Sequence, residues 1–231
     1  ADPDTTTYRV EQLDASTVYQ FRIKSFAAGS AGQVLYSDYQ SISGKTIPSA
    51  VTNMRITGWA QDALRISWNK NTSASGYIIE QNQNGSWVRI ARIADKNTTT
   101  YRIAELSPST IYQFRIRAFD FDGNTALYSG YTTISGKTNP AAIKGLEIGG
   151  RAYDALRLNW NRDAAASGYI VEQNVNGKWV RIARIGNNTT TTYRVEDLNR
   201  STAYQFRVYA FGFDGNTPTY GGSGTISGTT Y

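Results

Sequence analysis

The feature that most restricts this chain is that it repeats itself. Trp68 and Trp160, Trp87 and Trp179, Tyr101 and Tyr193, and Tyr112 and Tyr204 are each 92 residues apart, so the folding unit is of about that length and not a single body of 231 residues. The register also reaches backward. Tyr8, Tyr19 and Phe21 precede Tyr101, Tyr112 and Phe114 by 93, whereas Leu35 precedes Leu127 by 92. One extra residue therefore lies between Phe26 and Leu35, and an insertion of that kind marks a loop. Two complete copies follow, at 51–138 and 143–231, and residues 1–47 open in the middle of a copy.

Each unit has to build its own core, and the residue pattern says from what. In the first complete copy, residues 64–68, 76–80, 87–93, 99–103 and 111–119 are short runs rich in β-branched and aromatic residues. Asn, Asp, Gly and Pro gather between them, at 69–75, 84–85, 95–97, 107–109 and 122–124. About seven strands per copy predicts an all-β sandwich of two sheets. Alternation sorts the faces: Tyr112, Phe114, Ile116 and Ala118 point inward and Gln113, Arg115 and Arg117 outward, with Tyr204, Phe206 and Val208 repeating the inward set.

Composition narrows the chemistry. There is no Cys and no His, which removes the thiolate nucleophile, the imidazole base, disulfides and the usual soft metal ligands. The carboxylates that recur in turns, Asp62 with Asp154 and Asp122 with Asp214, have no second acid beside them in sequence, and acid–base catalysis needs a partnered, desolvated group. We therefore expect no enzyme, no cofactor and no metal. The net charge of +6, from 24 basic and 18 acidic residues, is spread without a basic run, so nucleic acid is not an expected partner. No stretch approaches the ~18 apolar residues of a membrane helix, so no membrane insertion is expected within this segment.

These residues resemble the fibronectin type III family over essentially the whole chain. The resemblance is carried by Trp68 and Trp160 on the second strand, Gly76-Tyr77 and Gly168-Tyr169 opening the third, the stretches 13–19, 106–112 and 198–204, similar to a leucine and tyrosine corner before the sixth, and the closing runs 42–46, 134–138 and 226–230. It implies tandem seven-strand, immunoglobulin-like sandwiches in an extended array, similar to arrays in bacterial surface or secreted proteins, with the signal and anchor outside this segment. The linkers at 46–50 and 138–142 each carry a proline, which fixes φ and restricts bending. Residues 1–47 would supply only the last three strands of a repeat. Tyr19, Phe21 and Ile23 would then lack cover, which either a second copy, by self-association through residues 1–47, or an upstream segment is expected to supply.

In that frame the loop between the sixth and seventh strands is the place to look for a ligand. It contains Phe121, Asp122, Asn124 and Tyr128 in one copy and Phe213, Asp214, Asn216 and Tyr220 in the next. An aromatic beside a rigid turn offers anchor area at low entropic cost, while the plainer reading is a hairpin turn with the Phe packed on the sheet. Trp59 and Tyr153 join the candidates, Trp59 because its counterpart is Arg151 and no common core role requires it. Trp87 and Trp179 follow hairpin turns and suit either sugar stacking or cover of the sheet. The family resemblance implies a non-catalytic extracellular or cell-surface array that binds a macromolecule, such as a host glycoprotein or an immunoglobulin. The alternative is a passive spacer in a secreted polysaccharide-degrading enzyme.

Overall fold

The structure, a computed structural model, describes residues 4–231. In the partial copy lie β1 (Val18–Ile23), β2 (Phe26–Ala28), β3 (Val34–Tyr36) and β4 (Gln40–Lys45), with a 3-10 turn at Ser30–Gly32, where the sequence carries its extra residue. The first complete repeat contains β5 (Arg55–Trp59), β6 (Leu64–Ser67), β7 (Gly76–Gln83), β8 (Ser86–Ile93), β9 (Thr100–Ile103), β10 (Ile111–Asp122), β11 (Thr125–Tyr128) and β12 (Thr132–Lys137). The second repeats them as β13 (Glu147–Arg151), β14 (Leu156–Asn159), β15 (Gly168–Val175), β16 (Lys178–Ile185), β17 (Thr192–Val195), β18 (Ala203–Asp214), β19 (Thr217–Tyr220) and β20 (Gly224–Thr229). Two compact units divide the chain. One takes the residues up to Met54 with Trp68–Thr99 and Phe114–Thr133, and the other Arg55–Ser67, Thr100–Gln113 and Ile134–Tyr231.

The last repeat lies wholly within the second unit. One sheet has the order β13-β14-β17, the other β16-β15-β18-β19 with β20 also on β18. Period-two alternation makes the core: Leu156 and Leu158 of β14 are fully buried on either side of exposed Arg157, and Phe206, Val208 and Ala210 of β18 are buried opposite them. Trp160 packs edge-on against Tyr169 at 5.3 Å. Gly168 permits the approach of β15 to its neighbour, since a Cβ there would strike the Phe211 ring and the Ile185 carbonyl.

The other complete repeat has the same ladders, β5-β6-β9 and β11-β10-β7-β8, and the same buried residues 92 positions earlier, including Leu64, Ile66, Tyr77, Phe114 and Ile116. Asn84-Gly85 and Asn176-Gly177 have φ of 54° and 88°, and of 52° and 81°, the two left-handed residues of a two-residue hairpin turn. The corner tyrosines behave as the family resemblance implies. Tyr19, Tyr112 and Tyr204 each accept a backbone N–H five residues upstream, from Asp14, Ser107 and Asn199, at 2.9, 2.8 and 2.9 Å.

The partial copy departs from expectation in two places. No strand forms over residues 7–10, and Tyr8 is 88% exposed. The counterpart strand β9 exists by pairing with β6, and residues 4–47 contain no counterpart of β6 for residues 7–10 to pair with. The expected sixth strand is also broken into β1 and β2. β1 pairs with β4 in the same register as β18 with β20, Phe21 facing Ile42 as Phe206 faces Ile226. The apolar face of this ladder is partly open: Tyr19 and Phe21 are half-buried, but Ile23 is 72% and Ile42 71% exposed, whereas Ile116 and Val208, the counterparts of Ile23, are fully buried.

Candidate functional site

β10 and β18 run further than the sequence suggests, to Asp122 and Asp214. The candidate loops are therefore tight hairpins, with Asp122 opposite Thr125 and Asp214 opposite Thr217. Their tips are Gly123-Asn124 and Gly215-Asn216, the glycines at φ 55° and 57°. Phe121 packs edge-on against buried Phe119 at 5.7 Å, and Phe213 against buried Phe211 at 5.9 Å. Tyr128 lies beneath the Arg117 guanidinium at 4.0 Å, and Tyr220 packs edge-on to Tyr209 at 5.8 Å. The aromatic rings thus serve the sheet with one face and leave the other to solvent.

The carboxylates of these hairpins are occupied from within the chain. Ahead of the first complete repeat, Lys45 at the end of β4 reaches its upper end: the Lys45 ammonium is 2.6 Å from Asp120 Oδ2 and donates to the Phe121 carbonyl at 3.1 Å. Its backbone N–H donates to Asp122 Oδ2, also at 3.1 Å. Ser75 Oγ donates to Asp120 Oδ1 at 2.7 Å, and Ser16 Oγ donates to the Ser73 carbonyl. The side chains of Lys45 and Asp120 are only 18% and 11% exposed. Burial pushes the Asp120 carboxyl up, but the hydrogen bonds from Lys45, Ser75 and the Phe121 backbone outweigh it and hold it at about 2.

Before the last repeat the donor is different. Trp59 Nε1 donates to Asp214 Oδ2 at 2.7 Å. Asn139 fixes the Trp59 backbone, its side chain donating to the Trp59 carbonyl at 3.1 Å and its N–H to the Ala60 carbonyl at 2.9 Å. Gln61 Oε1 accepts the Ala142 N–H at 3.1 Å. Buried Pro140 lies against Gly212, which stands where the earlier copy has Asp120.

The outer sheet face is closed by charge pairs and rings. Arg115 binds Glu80 at 2.5 Å and lies over Trp87 at 4.5 Å and Tyr131 at 3.7 Å. Arg207 binds Glu172 and lies over Trp179 at 4.7 Å. A tyrosine hydroxyl completes each glutamate, Tyr131 at 3.2 Å on Glu80 and Tyr209 at 3.0 Å on Glu172. Burial, then the hydrogen bond to Glu172, pushes the Tyr209 phenol up to about 12, and burial also raises Tyr131. Trp87 and Trp179 therefore each have an Arg over the ring, which supports their role as cover for the sheet.

Of the residues singled out from sequence, the structure unites Trp59 with Asp214 and leaves Tyr153 apart. Tyr153 is 60% exposed, edge-on to Tyr231 at 6.3 Å and beneath Arg200 at 4.4 Å. Asn124 and Asn216 sit at exposed tips. Sequence reasoning missed Lys45, Asp120, Gln61 and Asn139. Among the described residues no group of three or more His, Cys, Asp or Glu side chains gathers to hold a metal ion, and no helix is long and apolar enough to cross a membrane.

A family model for the fibronectin type III domain matches residues 49–134. Receptor-type tyrosine-protein phosphatase eta of Gallus gallus is 29% identical over 228 residues, covering 95% of this chain and 15% of its own length. Exoglucanase B of Cellulomonas fimi is 27% identical over 258 residues, covering 96% of this chain and 22% of its own length. The chain therefore spans about a fifth or less of these relatives. Among solved structures, the chicken CNTN1 FN1–FN3 domains superpose with TM-score 0.45 at 20% identity, over 94% of this chain and 77% of that one. A two-domain segment of chicken tenascin gives 0.42 at 16%, over 78% of this chain and 98% of that one.

Proposed function

We propose, from the match of residues 49–134 to the fibronectin type III family model and from the repetition of the same sheet ladders along the chain, a non-catalytic structural array of an extracellular or cell-surface protein, one that holds a binding or catalytic domain at a distance. The observation that carries this reading is the use of the candidate ligand groups inside the chain. Asp122 accepts from Lys45 and Asp214 from Trp59. A carboxylate oriented by a bond to its own chain through Oδ2 offers a ligand chiefly its second oxygen, which narrows what it can recognise. Tandem repeats knitted at successive ends also suit a spacer, since each such contact limits bending. The relatives fit: a receptor-type phosphatase and an exoglucanase are both much longer than this chain, so the matching segment is a part of each.

A second reading, capture of a host or surface macromolecule, rests on a specific observation as well. Phe121, Tyr128, Phe213 and Tyr220 are 38%, 39%, 40% and 49% exposed on the two hairpins, and exposed aromatics on rigid turns are common anchors. An array of glycans and extracellular proteins probed with the full chain separates the two. A spacer is expected to retain nothing that depends on those side chains. A ligand held by the intact chain and lost on Phe121→Ser with Phe213→Ser overturns the spacer reading and establishes the second.

A further inference from the structure

The two repeat ends share a rule. In each, the carboxylate that closes a β10–β11-type hairpin accepts a donor from the end of the preceding repeat: Asp122 from Lys45, Asp214 from Trp59. The receiving end before the last repeat is framed by three backbone bonds, Asn139 N–H to Ala60 O, Ser109 N–H to Asn139 O and Leu106 N–H to Asp62 O, each 2.9 Å. The last repeat rebuilds that frame 92 residues later. Tyr231 N–H donates to Ala152 O at 3.0 Å, Ser201 N–H to Tyr231 O at 3.1 Å and Leu198 N–H to Asp154 O at 2.9 Å.

The frame is preserved and the donor has changed. Arg151 stands in the place of Trp59, and Arg200 in the place of Pro108. Both arginines are exposed, and Arg151 is steadied by a bond from its Nη1 to the Thr229 carbonyl at 2.9 Å. Between them Tyr153 and Tyr231, 60% and 61% exposed, form an aromatic shelf. Two cations around exposed rings complement an acidic turn flanked by aromatics, which is the composition of the Phe213-Asp214 hairpin that the preceding repeat end receives.

We propose that the end of the last repeat formed by Arg151, Tyr153, Arg200 and Tyr231 is a docking surface for another fibronectin type III repeat, whose sixth-to-seventh-strand hairpin carries a carboxylate at the position of Asp214, with Arg151 as the receiving group. The contact is the Trp59–Asp214 contact with a charged donor. It is therefore more sensitive to salt than its model within the chain.

The test uses the full chain extended after Tyr231 by a copy of residues 140–231, so that the linker follows Tyr231 as it follows Asn139. Amide hydrogen exchange is read by NMR in the hairpin of the added copy and in β14 of the preceding repeat, the two copies isotopically labelled in separate samples, with protection in β14 confirming that the preceding repeat is folded. Arg151→Glu is expected to speed exchange there about fivefold, and Arg151→Gln about twofold, as for a partly exposed charged contact. Reversing the partner, Asp214→Arg in the added copy, is expected to restore protection to the Arg151→Glu chain. Unchanged exchange in both Arg151 variants, or no recovery on charge exchange, overturns the proposal. So does dimerisation of the unextended chain through Arg151, seen by sedimentation, which would make a second copy the occupant. Should Arg151→Glu unfold its repeat, Arg151→Gln combined with Asp214→Asn in the added copy decides: the two losses must overlap if the groups meet and add if they do not.

Discussion

The contact at Lys45 and the contact at Trp59 receive the same structural element, yet they are built from different physics. At the first, an ammonium is sunk against Asp120 and its backbone N–H takes Asp122. At the second, a neutral indole N–H takes Asp214, and Asp120 has been replaced by Gly212 with Pro140 packed on it. The acceptor position is constant while the donor varies. In both described contacts the hairpin carboxylate receives a donor from the preceding repeat, and the donor decides how the contact responds to pH and salt.

The sharpest way to break the comparison is to remove the platform under one contact only. Trp160→Ala is expected to cost the last repeat about 3–5 kcal/mol, releasing the Asp214 hairpin while Lys45 still holds Asp120. Thermal melts with exchange read separately at the two hairpins check this, and loss of protection at both would refute independence of the repeats.

Next in size is Lys45→Ala, which leaves the Asp120 carboxylate largely buried without its cation. A loss of about 2–3 kcal/mol from the first contact follows from an unpaired, partly buried charge. The Trp59 contact is expected to be untouched, as followed by the exchange of the Asp214 hairpin.

Acid should sharpen the difference. The folded Asp120 carboxyl sits at about 2, below its ordinary 3.8, so its contribution is fully present above pH 4 and is lost as pH falls toward 2. By linkage this amounts to about 2 kcal/mol. A titration followed at Lys45 and Ser75 by NMR should show the loss in that window and not near neutrality. Asp120→Asn should flatten it.

The smallest effect is expected for Trp59→Phe, which keeps the ring and removes the N–H. About 1 kcal/mol is lost, the worth of one half-exposed hydrogen bond to a carboxylate. Added salt should change the difference between wild type and variant less than it changes the Lys45 contact. Exchange at Asp214 in low and high salt measures both.

The sandwich was legible in sequence because it depends on local alternation and on repeated aromatics, which read directly as buried positions. Trp68, Tyr77 and Phe114 and their partners 92 residues on are buried where their pattern placed them. The missing strand at residues 7–10 was not legible, since Thr7-Tyr8-Arg9-Val10 carries the same propensity as Thr100-Tyr101-Arg102-Ile103 and differs only in having no partner. The contacts between repeats were half legible. Trp59 stood out as unshared, but nothing local shows that an indole will meet a carboxylate 155 positions later. Lys45 recurs as Lys137, whereas its partner Asp120 becomes Gly212, so repetition concealed the pair instead of revealing it.

The tyrosines on the two buried glutamates limit how such repeats can be recombined. Glu80 takes its hydroxyl from Tyr131, outside the strand ladder, and Glu172 from Tyr209 on β18, where the other repeat has Arg117. Ser223 fills the place of Tyr131 in the last repeat. A chimera joined between these positions inherits either both hydroxyls or neither, according to its direction. One crossover crowds two phenols onto one carboxylate, and the other leaves that carboxylate with its arginine alone. Shuffling of these repeats is therefore cleanest at the proline linkers, where each glutamate travels with the tyrosine that serves it.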